Sequence, residues 1–104
     1  MDLQATIREQ VTSHPVVIYM KGTPQFPRCG FSGRAVQVLK AAGAPSIFAV
    51  DVLQNPEYVA AVKEFADWPT LPAVFIKGEF IGGCDITTEM YQAGELQALL
   101  KDAA

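Results

Sequence analysis

Val16-Val17-Ile18-Tyr19-Met20-Lys21-Gly22-Thr23-Pro24-Gln25-Phe26-Pro27-Arg28-Cys29-Gly30-Phe31-Ser32 carries three patterns in one stretch. Val16 to Met20 is an unbroken run of apolar β-formers, which suits a strand covered on both faces, as in a parallel sheet. Lys21 to Arg28, interrupted by Gly22, Pro24 and Pro27, reads as a loop. Helical spacing then returns with Phe31, Ala35, Val38, Leu39 and Ala42, and Gly43 supplies a stop. A second strand follows over Ser46 to Asp51, through Ile47, Phe48 and Val50. Strand, helix and strand in this order make a βαβ unit, and the fold class is α/β.

Working outward, Leu3, Ile7 and Val11 mark an amphipathic first helix that stops at His14-Pro15, because the residue before proline is pushed out of the helical region. His14 itself reads as a solvated cap. Asn55 as cap and Pro56 as first residue open a third helix, lined by Tyr58, Val62 and Phe65. Trp68-Pro69-Thr70-Leu71-Pro72 breaks the pattern, with Trp68 a packing anchor beneath the Pro72 loop. Ala73 to Ile76 and Glu79 to Ile81 flank Lys77-Gly78 as a hairpin. Gly82-Gly83-Cys84-Asp85 opens a last helix with Ile86 and Met90; Gly94 interrupts it before Leu96, Leu99 and Leu100. The order predicts a central four-stranded mixed sheet flanked by helices, in one domain over residues 1–104.

A net charge of -3 gives no electrostatic reason to bind nucleic acid or an acidic membrane surface. Two cysteines are too few for a secreted disulfide scaffold. No apolar run approaches the roughly 20 residues that span a bilayer. Residues 1–7 lack the basic start and apolar run of a signal peptide. A cytoplasmic protein is expected, with neither nucleic acid nor membrane among its partners.

Cys29 stands where loop turns into helix. Unpaired N–H groups and the helix dipole favour an anion there, so the thiol's pKa should fall, helped by Lys21 and Arg28. Lys21 on position alone is equally a solvated loop charge. Two residues beyond Gly30 stands Ser32, where a dithiol motif would carry a second cysteine. Its hydroxyl can hydrogen-bond a thiolate but cannot attack a disulfide, so an adduct on Cys29 has no internal resolving thiol.

Lys21-Gly22-Thr23-Pro24, Cys29-Gly30-Phe31-Ser32, Trp68-Pro69-Thr70-Leu71-Pro72 and Gly82-Gly83-Cys84-Asp85, in this order and spacing, closely resemble the monothiol glutaredoxins of the Cys-Gly-Phe-Ser type. The resemblance covers essentially the whole chain. It implies a thioredoxin-like fold, binding of glutathione, and a [2Fe-2S] cluster shared between two subunits. Cys29 is then the reactive thiol and the metal ligand. The implied glutathione contacts are Lys21, Phe31, Lys63, Thr70, Leu71, Pro72, Gly83, Cys84 and Asp85. An X–Pro bond is cis only about 5–6% of the time; the resemblance nevertheless makes Leu71–Pro72 cis and Leu71 the residue that pairs with the glutathione backbone. Asp85 serves as cap or first-turn residue, and by resemblance as acceptor for glutathione's amino group. Cys84 is either a small residue for a tight junction or a partner for Cys29 or glutathione. Two positions depart from the family pattern: Val59 replaces a common arginine, leaving Lys63 to meet the glycine carboxylate, and Ala73 replaces a glutamine.

A [2Fe-2S] cluster takes four ligands, and one chain exposes one suitable thiol. Two Cys29 thiolates and two glutathione thiols complete the set. The protein is expected to be a homodimer with cluster and a monomer without, to deliver clusters to apo-proteins, and, by resemblance, to pair with BolA-like proteins. A weak glutathione-dependent oxidoreductase, with Cys29 attacking mixed disulfides, is the alternative. A regulatory adaptor is a third reading.

Overall fold

The computed structural model describes residues 2–101. Its order is α1 (Leu3–Ser13), β1 (Val16–Met20), α2 (Gly30–Ala41), β2 (Phe48–Asp51), α3 (Glu57–Ala66), β3 (Ala73–Ile76), β4 (Glu79–Gly82), α4 (Cys84–Gln92) and α5 (Glu95–Lys101). The sheet runs β2-β1-β3-β4. β1 pairs parallel with β2, Val17 opposite Phe48, and antiparallel with β3, Tyr19 opposite Ala73. All five β1 residues are buried, which is what their unbroken apolar run requires. Alternation along the strand sends Val16, Ile18 and Met20 into a core with α2, α4 and α5. Val17 and Tyr19 enter the opposite core with Ile7 and Val11 of α1 and Val62 of α3. The result is the thioredoxin-like arrangement expected, a mixed sheet between two helical layers. Among the described residues no helix is long and apolar enough to cross a membrane.

Several local expectations change. β2 begins at Phe48, not Ser46, because its ladder starts opposite Val17. Asn55 does not cap α3: its side-chain amide donates to the Asp51 carbonyl at 3.0 Å, and Pro56 occupies the cap. His14 is half-buried rather than solvated, stacked on Phe48 with ring centroids 4.1 Å apart. The buried stripe of α2 passes through Ser32, Ala35, Val36 and Leu39, at i, i+3, i+4 and i+7. Ser32 thus takes the place that the sequence pattern gave to Phe31, which is 62% exposed. The hairpin turn is as expected, with Lys77 and Gly78 both at positive φ (53° and 82°) in the manner of a two-residue primed turn.

Candidate functional site around Cys29

Cys29 is the N-cap of α2. Its backbone is extended (φ -142°, ψ 134°), and no side-chain oxygen caps the helix. The sulfur therefore takes the place where a cap oxygen would accept the N–H groups of the first turn. The Ser32 backbone N–H is the main cause that lowers the Cys29 pKa below the ordinary thiol range. Burial opposes this, while the Phe31 N–H, the Lys21 charge and the Ser32 hydroxyl add to it. Ser32 is fully buried, and its Oγ accepts the Lys21 backbone N–H at 3.1 Å, leaving its own hydrogen for the sulfur. The serine is thus a structural link between the end of β1 and the thiolate, a role the sequence reading gave only in part.

The expected site residues fall into three adjoining concavities. Phe31, Trp68, Thr70, Leu71, Pro72, Gly83, Cys84, Asp85 and Ile86 line a groove of about 450 Å³. Lys21, Val59, Lys63, Pro69, Thr70 and Leu71 line a second of about 230 Å³. Thr70 and Leu71 belong to both, so the two form one trough with lysines at one end and Asp85 at the other. Cys29 lines neither. It faces a third concavity with Pro27, Arg28, Gly30, Gly33, Arg34 and Gln37, and the first turn of α2 forms the wall between.

Leu71–Pro72 is cis, as the resemblance implied and the base rate did not. The Leu71 N–H and C=O have no hydrogen-bond partner among the described residues, so that backbone edge faces the trough unused. At the far end Gly83 is the N-cap of α4 and makes no side-chain cap. Asp85 is therefore a first-turn residue, exposed, and not the cap. Cys84 is buried beside it, and both cysteines are free thiols. Val59 is half-buried in the wall of the lysine end; Ala73 is buried in the sheet and lines none of the three concavities. Trp68 and Ile86 also line the trough, though the sequence reading assigned neither to it. Trp68 packs on Phe80 at 5.4 Å, and its indole N–H is buried with no hydrogen-bond partner among the described residues. Among the described residues no group of three or more His, Cys, Asp or Glu side chains stands together as a metal site.

The thiolate geometry sets a pH dependence. Because the folded pKa is lowered, Cys29 keeps its thiolate to a lower pH than an ordinary thiol and loses reactivity as pH falls through that lowered value. Alkylation by iodoacetamide followed against pH should reach half its maximal rate at a lower pH than for cysteine in a denatured chain. Ser32→Ala, which removes the hydroxyl and orphans the Lys21 N–H, should move that midpoint upward. A midpoint at or above the free-thiol value, or one unmoved in Ser32→Ala, would contradict this assignment.

A family model described as Glutaredoxin matches residues 16–81. The chain is 50% identical over 98 residues to Glutaredoxin 4 of Escherichia coli (strain K12), covering 94% of this chain and 84% of that one. It is 48% identical over 104 residues to Glutaredoxin 4 of Pasteurella multocida (strain Pm70), covering 100% and 94%. Among solved structures, reduced apo GrxS14 of poplar superposes with a TM-score of 0.83 at 50% identity, over 97% of this chain and 92% of that one. The holo form of glutaredoxin C1 from Populus tremula x tremuloides does so with 0.84 at 35% identity, over 97% of each chain. Likeness at this identity and coverage, with a single thiol in Cys29-Gly30-Phe31-Ser32, means that the chain belongs to the glutaredoxin family as a monothiol member of the Cys-Gly-Phe-Ser type.

Proposed function

We propose that this protein binds glutathione in the trough and carries a [2Fe-2S] cluster between two subunits for delivery to iron–sulfur apo-proteins. The observation that carries the reading is the trough itself. It pairs an unused peptide edge at Leu71 with two lysines at one end and an acid plus a helix N-terminus at the other. Glutathione is an extended thiol peptide with two carboxylates and one ammonium, and each of these groups has a counterpart. Lys21 and Lys63 receive the glycine carboxylate. Leu71 pairs with the cysteinyl backbone, and Thr70, Pro72 and Phe31 shape the walls. The N–H groups around Gly83 and Cys84 take the γ-glutamyl carboxylate, and Asp85 its ammonium. The glutathione thiol then lies beside Cys29 across the first turn of α2.

Thiolates are soft ligands suited to iron–sulfur clusters. With Cys84 buried and Cys29 the one thiol within reach on each chain, a cluster needs two Cys29 sulfurs and two from glutathione. Such cargo is held partly by exchangeable small molecules, which favours transfer. A BolA-like protein in place of one subunit fits the same incomplete site. Anaerobic reconstitution with iron, sulfide and glutathione should give visible charge-transfer absorbance, and omission of glutathione should leave the protein colourless. Colour that is independent of glutathione, or absent throughout, would sink the proposal. Lys63→Glu should weaken glutathione binding about tenfold by calorimetric titration, or about 1.4 kcal/mol, and an unchanged affinity would place the carboxylate elsewhere.

The lowered Cys29 pKa also supports a second reading as a glutathione-dependent oxidoreductase. Cys29 would take up glutathione from a mixed disulfide, releasing the client thiol, and free glutathione would resolve the adduct because Ser32 cannot. Turnover in a glutathione-coupled assay, lost in Cys29→Ser, tests it.

A further inference from the structure

Among the described residues, besides Phe31, the large apolar side chains left most open are Phe26 and Leu53, at 75% and 54% exposure. Neither lines the trough. Phe26 is nevertheless displayed from an ordered loop. Its N–H donates to the Thr23 carbonyl at 3.1 Å, the Thr23 N–H donates to its carbonyl at 3.2 Å, and the Arg28 N–H closes the loop on the Lys21 carbonyl at 2.9 Å. One carboxylate ties this loop to the other: Asp51 Oδ1 accepts the Gly22 N–H at 3.0 Å and the Leu53 N–H at 2.9 Å. Arg28 joins the apolar pair to the thiol. It lines one concavity with Asp51 and Leu53 and another with Cys29 and Arg34.

The charge distribution points the same way. Residues 10–50 hold Lys21, Arg28, Arg34 and Lys40, four of the eight cations, and none of the eleven Asp and Glu residues of a chain whose net charge is -3. Asp51, the carboxylate that follows this stretch, already accepts two backbone N–H groups. The approach to Cys29 on this side is therefore cationic and rimmed by preordered apolar groups.

We infer that the Phe26–Leu53 patch and the adjoining Arg28–Arg34 edge form a docking surface for a client polypeptide whose acidic and apolar side chains flank the sulfur it presents to Cys29. Acidic groups would meet the arginines and apolar groups would cover Phe26 and Leu53, so that complementarity selects clients and speeds encounter. The inference rests on Cys29 as the reacting group in the proposed function, and it does not depend on the cluster.

The test uses a synthetic peptide with Glu and Leu around one cysteine, activated as its 2-pyridyl disulfide, and a second peptide with Lys in place of Glu. The Cys29 thiolate attacks the peptide sulfur and forms the new S–S bond. The bond to the pyridyl sulfur breaks, and pyridine-2-thiolate leaves with the electron pair, takes up a proton and is followed by absorbance as 2-thiopyridone. At low salt the Glu/Leu peptide should react about tenfold faster than the Lys peptide, and the ratio should shrink as salt rises. Arg28→Glu with Arg34→Glu should reverse the preference. Phe26→Ser should slow the Glu/Leu peptide several-fold while leaving the rate with 2,2′-dipyridyl disulfide, a small neutral probe of the thiol alone, unchanged. Equal rates for the two peptides would overturn the inference, as would a preference that survives these substitutions. Self-association through this face would slow both peptides alike at high protein concentration, and would also overturn it. A colourless protein on reconstitution would sink the carrier proposal and leave this one standing. A thiol inert even to dipyridyl disulfide would sink both.

Discussion

Cys29→Ser should abolish cluster uptake outright, leaving a colourless protein even in excess glutathione. A serine at the head of α2 keeps the cap geometry but replaces a soft thiolate with a hydroxyl that stays protonated at neutral pH. The loss is all-or-none because Cys29 is half-buried and still reachable while Cys84 is buried, and no cluster of alternative ligands stands elsewhere among the described residues. Visible absorbance and iron per chain after anaerobic reconstitution measure it. Retention of colour in Cys29→Ser would mean that the cluster uses other ligands. Because the first turn of α2 keeps its backbone donors in either case, far-ultraviolet circular dichroism should be unchanged.

Gly22→Ala should be the most damaging single change in the loop, costing about 2–4 kcal/mol. Gly22 sits at φ +92°, where side chains are strained, and an added Cβ would lie 2.6 Å from both the Arg28 nitrogen and the Phe26 carbonyl oxygen. Both are backbone atoms in a closed loop, so neither can yield without breaking its hydrogen bonds. Gly22 also donates to Asp51, the anchor shared with Leu53. Chemical denaturation checks the cost, and a change within about 0.5 kcal/mol, as for an ordinary surface substitution, would contradict it. The same variant should raise the midpoint pH of Cys29 alkylation, because a displaced loop carries the Lys21 charge away from the sulfur.

Most of this architecture was legible because periodicity follows burial. The run Val16–Met20 reads as a strand buried on both faces, and it is one. Patterns failed where a polar residue takes a core position. Ser32 occupies the buried stripe of α2 because its hydroxyl serves the thiolate and the Lys21 N–H, and Phe31 turns out to the trough wall. Asn55 reads as a cap, but the Asp51 carbonyl four residues earlier is a competing acceptor. Motif resemblance located the trough residues, yet not that Cys29 faces a different concavity from Cys84 and Asp85. That separation depends on how the first turn of α2 stands relative to the Pro72 loop, which no local pattern encodes. Trp68 and Ile86 escaped for a similar reason: each reads as ordinary packing until the two ends of the trough are brought together.

The most direct test of the central claim is the mass of the reconstituted protein under native, oxygen-free conditions. One dominant species of two chains, one [2Fe-2S] cluster and two glutathione molecules is expected, and it should fall to apo monomers when glutathione is removed. A cluster carried by a single chain, or a cluster-bound dimer that contains no glutathione, would contradict it.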